Sequence, residues 1–404
     1  MNRPDRRTRH SGGVRGLPGE VKVLAAVAFC VAAGFGIVAP VIPVFARTFG
    51  VSRTAAGAVV SAFALMRLLS VLRVGRLVDR LGSRRVLGVG IAVVAVSSAL
   101  AGLAQTYTQL IVLRGVGGIG SAMFSVSASA LLLGVTTPET RGRSLGAFQG
   151  GFLAGGVAGP ALGGVVSGIS VRAPFFFYAG TLAAAGAVGL ALLPRVAGSP
   201  RGAGDGPGGP TLREALRLPA FRAACVTNAA DSWAVLGVRS ALVPLFVAEA
   251  LHRSTVVTGL GFVVFTAGNV VTLVLGGRVV DRRGRRPVLL AGCSASAGGV
   301  ALLALPASLP LFLVSLVVFG LGSGLLDTAP AAMMGDVAQR SGTVVAAFQM
   351  AGDAGSLAGP LVAGALADGV GYGAAFGATA GVLALAAVVA SRAPETLRRS
   401  TVGV

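Results

Sequence analysis

The sequence predicts an all-α membrane protein of twelve transmembrane helices, arranged as two pseudo-symmetric six-helix halves. Three observations predict it. Charged residues make up only 12% of the 404-residue chain and apolar ones 54%, whereas a soluble domain carries about 25% charged residues. Apolar runs of about 20 residues, long enough to cross a bilayer as helices, recur twelve times along the chain. Two segments of the first half also return in the second. GRLVDRLGSRRVL at 75–87 reappears as GRVVDRRGRRPVL at 277–289, and AFQGGFLAGGVAGPALGG at 147–164 as AFQMAGDAGSLAGPLVAG at 347–364. The offsets are 202 and 200. That is an internal duplication of a six-span unit, and parallel repeats related about the membrane normal are one plan for transporters.

The spans of the first half fall at 22–46, 54–74, 86–105, 108–134, 144–169 and 174–193. Those of the second fall at 223–248, 256–276, 288–306, 310–335, 343–367 and 374–391. The chain therefore reads as a basic N-terminal tail (1–21), a first half (22–193), a linker (194–222), a second half (223–391) and a C-terminal tail (392–404). The linker is rich in Pro and Gly, with GAGDGPGG at 202–209, a composition that makes flexible connections. Pro40 and Pro43 are expected to kink the outer end of span one. With both termini in the cytoplasm, 26 Arg and Lys residues fall on the inner side and 4 on the outer, with 4 more inside spans. That bias sets the expected orientation, in the inner membrane of a cell. Arg6-Arg7 resembles a twin-arginine signal, but no small-residue cleavage pattern follows, and the first apolar run reads as a retained helix.

A net charge of +20 would point to nucleic acid in a soluble chain. Here the charges sit in loops between spans, so a lipid partner explains them and no nucleic-acid partner is expected. The three cysteines, Cys30, Cys225 and Cys293, are far apart in apolar runs, with no metal-ligand spacing. The two histidines, His10 and His252, lie outside the spans, and no nucleotide loop is present. No catalytic residue, metal or cofactor is expected.

The loop after span two has the form G-x-x-x-D-R-x-G, carried by Gly75, Asp79, Arg80 and Gly82 and followed by Arg84 and Arg85. It recurs as Gly277, Asp281, Arg282 and Gly284, followed by Arg285 and Arg286; the first copy has Ser83 between its Gly and its Arg pair. Gly permits the turn, the Asp suits the positive end of a neighbouring helix, and the arginines anchor the loop at the cytoplasmic face. Span five carries Gly146 and then Gly155, Gly159, Pro160, Gly163 and Gly164. Its small residues favour close helix packing, and Pro160 removes a ladder hydrogen bond and is expected to bend the helix. The segment LIVLRGVGGIGSA at 110–122 places Arg114 inside span four. Its G-x-G-x-x-G reads as membrane helix and not as a dinucleotide site, because no soluble strand precedes it.

These residues resemble the major facilitator superfamily over the whole chain, and the span-five pattern is similar to the signature of its twelve-span drug:proton antiporter branch. In span four, Gly117 stands where the family often has Gln. The resemblance implies the major facilitator fold. It implies that the paired loops latch one access state, that spans one, four, seven and ten line a central cavity, and that spans two, five, eight and eleven meet across the halves. On that plan Gly159 is expected to let span five approach its neighbour in the other half.

A charge at mid-bilayer costs at least ~2.5 kcal/mol, so it is expected to face a cavity or a partner. Six residues qualify: Arg67, Arg114, Asp231, Arg239, Asp327 and Asp353. Each is equally readable as part of a static ion pair. By the resemblance, spans two and eleven face each other, which sets Asp353 opposite Arg67. Asp353 is then the candidate proton carrier, with Asp231 and Asp327 as recognition sites for a cation. Trp233, two residues from Asp231, is a candidate stacking surface for an aromatic or cationic substrate. The expectation is a monomeric exporter of small amphipathic, drug-like molecules, driven by a proton gradient through alternating access. A proton-coupled exporter of one metabolite, such as a sugar or nucleoside, is the alternative, and a non-transporting receptor of the same fold a more distant one.

Overall fold

Polar residues at the ends of the apolar runs set where the helices begin. Ser52 Oγ accepts a hydrogen bond from Ala55 N and Thr106 Oγ1 from Gln109 N, each satisfying an orphan donor of a first helical turn. The structure is a computed structural model, and it describes residues 18–136, 138–193, 210–338 and 341–397. Most of the expected tails, the linker over 194–209 and Arg340 lie outside the described residues.

The first half comprises α1 (Gly19–Val38), the short α2 (Ile42–Arg47), α3 (Arg53–Leu81), α4 (Ser83–Gly102), α5 (Tyr107–Gly134), α6 (Pro138–Ser167) and α7 (Ala173–Leu192). The interruption between α1 and α2 falls at Pro40, where the two prolines place it. The second half begins with α8 (Leu212–Arg217) and α9 (Pro219–Ser232), followed by a π-helical turn (Trp233–Arg239) and α10 (Ser240–Glu249). It continues through α11 (Thr255–Arg283), α12 (Arg285–Leu303), α13 (Leu309–Ala338), α14 (Gly342–Gly369) and α15 (Tyr372–Ser391).

One difference from the sequence reading has a local cause. The segment expected as linker turns helical at Leu212, because Thr211 and Glu214 form a reciprocal capping box. Pro160 lies inside α6, which runs on to Ser167.

Eleven described segments are long and apolar enough to cross a bilayer. The 28-residue α14 is not among them, because Gln349, Asp353, Asp368 and its glycines dilute its apolar content. It packs among the others, against α3, α9 and the π turn. The apolar core divides between the halves. One cluster is drawn almost wholly from α1–α7 and another from α8–α15, and a third, smaller one joins Val74 and Val78 of α3 to Val86 of α4 and to Ala122 and Met123 of α5, so each half buries its own interior.

The small-residue face of α6 packs on α1 of its own half. A side chain at Gly155 would strike the backbone of Phe29, at Gly159 that of Ala33, and at Gly163 that of Ile37. The close approach expected between Gly159 and the other half is therefore corrected: its partner is α1. The second half repeats this, with Gly355 on Ala229 and Gly359 on Trp233. Across the halves, α6 meets α11 through Gly164, set against the Gly259 backbone. Gly146 has open space around it.

Candidate functional site

Two helices from different halves carry the ties between them, each along a single face. On α3 the series is Arg53, Gly57, Ser61 and Arg67; on α14 it is Asp368, Gly364, Pro360, Leu357 and Asp353. Asp368 lies over the first turn of α3. Its Oδ1 accepts from Arg53 N (2.9 Å), and its Oδ2 from Thr54 N (2.9 Å) and Thr54 Oγ1 (2.7 Å). Gly57 lies under Pro360, and Ser61 Oγ donates to Leu357 O at 2.7 Å. Deeper still, the Arg67 guanidinium pairs with the Asp353 carboxylate.

Beside this seam, Glu249 at the end of α10 takes an ion pair from Arg47 Nε (2.9 Å) and another from Arg53 Nε (2.8 Å). It also accepts a hydrogen bond from Tyr372 Oη at 2.8 Å. Arg53 lies over the Tyr372 ring, 4.8 Å from its centroid, and donates to Ala367 O. Between α6 and α11, Ser167 Oγ reaches Thr255 Oγ1 at 2.8 Å. All these ties sit away from the G-x-x-x-D-R loops, from the far end of the bundle to its middle.

Alongside the Ser61 and Arg67 ties, the halves enclose a cavity of about 420 Å³. Aromatic rings stand among small apolar residues in its walls: Phe35, Phe63, Phe124, Phe152 and Tyr178 from the first half and Phe262 from the second. Ser121, Ser125, Ser240 and Thr266 add hydroxyls. The charged residues among the described lining are two arginines, Arg67 and Arg239. Arg67 is occupied by Asp353. Arg239 closes the π turn, its guanidinium held over Phe262 and Phe265 at 4.4 and 4.3 Å from the ring centroids. No carboxylate lies within ion-pair distance of it among the described residues, and its Nε reaches Val235 O only at 3.4 Å. A third cation stands behind the wall. Arg114 is buried, stacks 4.7 Å from the Phe63 centroid, and leaves its Nε without a hydrogen-bond partner.

The expected acids are placed differently. Asp231 and Asp327, read from the sequence as cation-recognition groups of the cavity, do not line it. Asp231 is carried by α9, ahead of the π turn, and is buried toward α13 with Oδ1 unpartnered. Asp327 on α13 is exposed and accepts from Asn269 Nδ2 at 2.7 Å. Trp233 does not line the cavity either. It turns to α15, with its indole N–H 3.4 Å from Thr379 Oγ1.

In the loops, Gly82 and Gly284 have φ of +83° and +102°, in the region that favours glycine. Neither Asp79 nor Asp281 caps a helix of the other half here. Asp79 and Arg80 are exposed, and Asp79 has no hydrogen bond or ion pair among the described residues; Asp281, with exposed Arg282 beside it, lies 3.8 Å from Arg285 in its own half. Arg84 instead donates to Leu190 O, and Arg285 Nε pairs with Asp336 at 3.0 Å. Gly277 and Gly75 are unobstructed. The N-terminus of α12 is capped by Glu395, which accepts from Arg285 N at 2.8 Å and Arg286 N at 3.0 Å. Partial burial pushes the Glu395 carboxyl up, but these backbone N–H groups outweigh it and hold it below the usual range.

Glu249 and Asp368 are absent from the sequence reading, in which Arg47 and Arg53 are two of the four basic residues counted on the outer side. A signal exists. With 14 acidic residues in the chain, the two that end spans seven and eleven face loops carrying arginines.

A cavity walled by two repeated helical halves, most of whose helices are long and apolar enough to cross a bilayer, defines the class: a multi-pass membrane protein. The family model of the Major Facilitator Superfamily matches residues 24–238 and 226–402. The chain belongs to that superfamily, whose members found here are transporters and not enzymes. It is 32% identical over 146 residues to Multidrug resistance protein 1 of Bacillus subtilis (strain 168), covering 36% of this chain and 38% of the relative. It is 28% identical over 162 residues to Quinolone resistance protein NorA of Staphylococcus aureus (strain MRSA252), covering 40% of each. These matches span less than half the length of the curated relatives. The fold is similar to that of a bacterial homolog of the human lysosomal transporter Spinster in an inward-facing, unoccupied conformation. That likeness has a TM-score of 0.73 at 17% identity, covering 92% of this chain and 95% of the other.

Proposed function

We propose that the protein is a secondary active transporter that exports small amphipathic molecules by proton antiport. It works through alternating access of its two halves, with both termini in the cytoplasm of a bacterial cell. The observation that carries this reading is the aromatic cavity walled by both halves, with an ion pair between the halves, Arg67–Asp353, at its edge. The direction of transport draws on the multidrug and quinolone resistance named for the relatives. An arginine keeps its charge at any accessible pH, whereas a carboxylate titrates according to its surroundings. Asp353 holds Arg67 as its partner in the arrangement described, and in the proposed cycle the halves part and that partner withdraws. Asp353 is the coupling group, and the closed ties at the far end describe the state open toward the cytoplasm.

Transport by Asp353→Asn in proteoliposomes, with and without a pH gradient, tests this. The expected result is loss of gradient-driven accumulation, with downhill flux partly kept. Accumulation against a concentration gradient by this variant, powered by protons alone, removes Asp353 from the coupling role.

A further inference from the structure

The cavity offers a substrate two kinds of contact, and together they select its chemistry. The first is apolar surface, supplied mainly by phenylalanines. Its volume of about 420 Å³ lies in the range, roughly 300–1,000 Å³, of pockets that enclose small organic molecules. The second is positive charge. Among the described residues, the cavity is lined by two arginines and no carboxylate.

Of these, Arg67 has its counter-ion in Asp353. Arg239 has no carboxylate within ion-pair distance among the described residues, and Asp231 and Asp327 act on it only at longer range. Phe262 and Phe265 lie against its guanidinium, and with Nε turned to Val235 O its Nη N–H groups are left for an acceptor. Arg114 adds its field from behind Phe63. A cationic substrate placed here faces like charges in a low-dielectric wall, whereas an anionic one meets a fixed fork of donors.

We propose that the cavity takes amphipathic acids: an aromatic or aliphatic body packed among the phenylalanines, and one acidic group received by Arg239. This rests on the cavity being the substrate site, and it reverses the charge that the sequence reading assigns to the substrate. Asp231 and Asp327 lie outside the lining yet within electrostatic reach of Arg239. A negative charge on either competes with the bound acid, so neutralising Asp231 strengthens acid binding while loss of Arg239 weakens it.

Three probes that share one ring system separate the contributions: naphthalene-1-acetate, its neutral amide, and 2-(naphthalen-1-yl)ethylammonium. Their affinities for the purified full-length protein are measured calorimetrically at pH 7.5, where the acid is ionised. The acid is expected to bind at least about tenfold more tightly than the amide, and the amine more weakly than either. Arg239→Gln brings the acid to within about twofold of the amide while leaving amide binding in place; Arg239→Lys keeps part of the preference. Asp231→Asn binds the acid about three- to tenfold more tightly than the unmodified protein, a gain that a misfolded variant cannot give.

Equal binding of all three probes, or tightest binding of the amine, overturns the proposal and leaves the cavity as the substrate site. An undiminished acid preference in Arg239→Gln also overturns it. Failure of every probe to bind overturns the proposal together with the reading of the cavity.

Discussion

At Gly159 the fold turns on a missing methyl group. A Cβ there would strike the carbonyl oxygen of Ala33 and lie 2.8 Å from the Cα of Gly36. Both obstacles are backbone, so no side chain can rotate away. Gly159→Leu is expected to cost about 1–3 kcal/mol, as overpacking does, by prising α6 from α1. Lower thermal stability and lost export at normal expression are the readouts. Gly150, on the same helix, has open space beside it, and Gly150→Leu should behave as the unmodified protein does. An unchanged melting temperature for Gly159→Leu refutes the packing account. The distinction lies within one helix, and the sequence pattern around both residues is equally rich in glycine.

At the scale of elements, the α3–α14 seam and the Glu249 cluster hold the far end shut. Asp368 caps α3 from the other half, so helix and closure share the same hydrogen bonds. Glu249→Gln leaves Arg47 and Arg53 to share a neutral partner, and Asp368→Asn sets an amide N–H against the N–H of Thr54. Each is expected to cost the closed arrangement roughly 1–2 kcal/mol, about five- to thirtyfold in the ratio of open to closed molecules. Spin labels at Ile169 and Val370, exposed at this end in different halves, should report a longer-distance population in both variants. Distance distributions identical to the unmodified protein's would show that these groups do not set the closure. Hydropathy makes the spans legible, because a run of about 20 apolar residues has few other uses. Arg67 and Asp353 are legible for the converse reason, a charge where charge is costly. Glu249 and Asp368 are not, since charges at span ends are ordinary and only the fold brings them to Arg47, Arg53 and Thr54. The π turn is hidden too. Nothing in WAVLGVR marks it, and it is this turn that ends in Arg239 while Asp231 stays behind in α9.

For the whole molecule, the two halves repeat each other in packing as well as in sequence. Gly36 lies against Pro160 and Gly237 against Pro360, so each half is a unit that can move without repacking. The G-x-x-x-D-R loops stand at the untied end, and Asp79 is unpaired there among the described residues. In the cycle proposed above, Asp79 finds its partner in the other access state. Asp79→Asn should lower the rate of transport while leaving folding and membrane insertion intact, and by more than neutralising Arg201 in the linker does. Transport at the unmodified rate would refute the latch. Because the ties run only from Arg53 to Arg67 on the 29-residue α3, the halves form a lever with its fulcrum at the tied end. The free arm runs from Arg67 to Leu81, about 21 Å at 1.5 Å per residue, so a rotation of about 10° moves its tip by about 4 Å. A change at the fulcrum the size of one hydrogen bond lost therefore reaches the other end as an opening about as wide as an aromatic ring is thick.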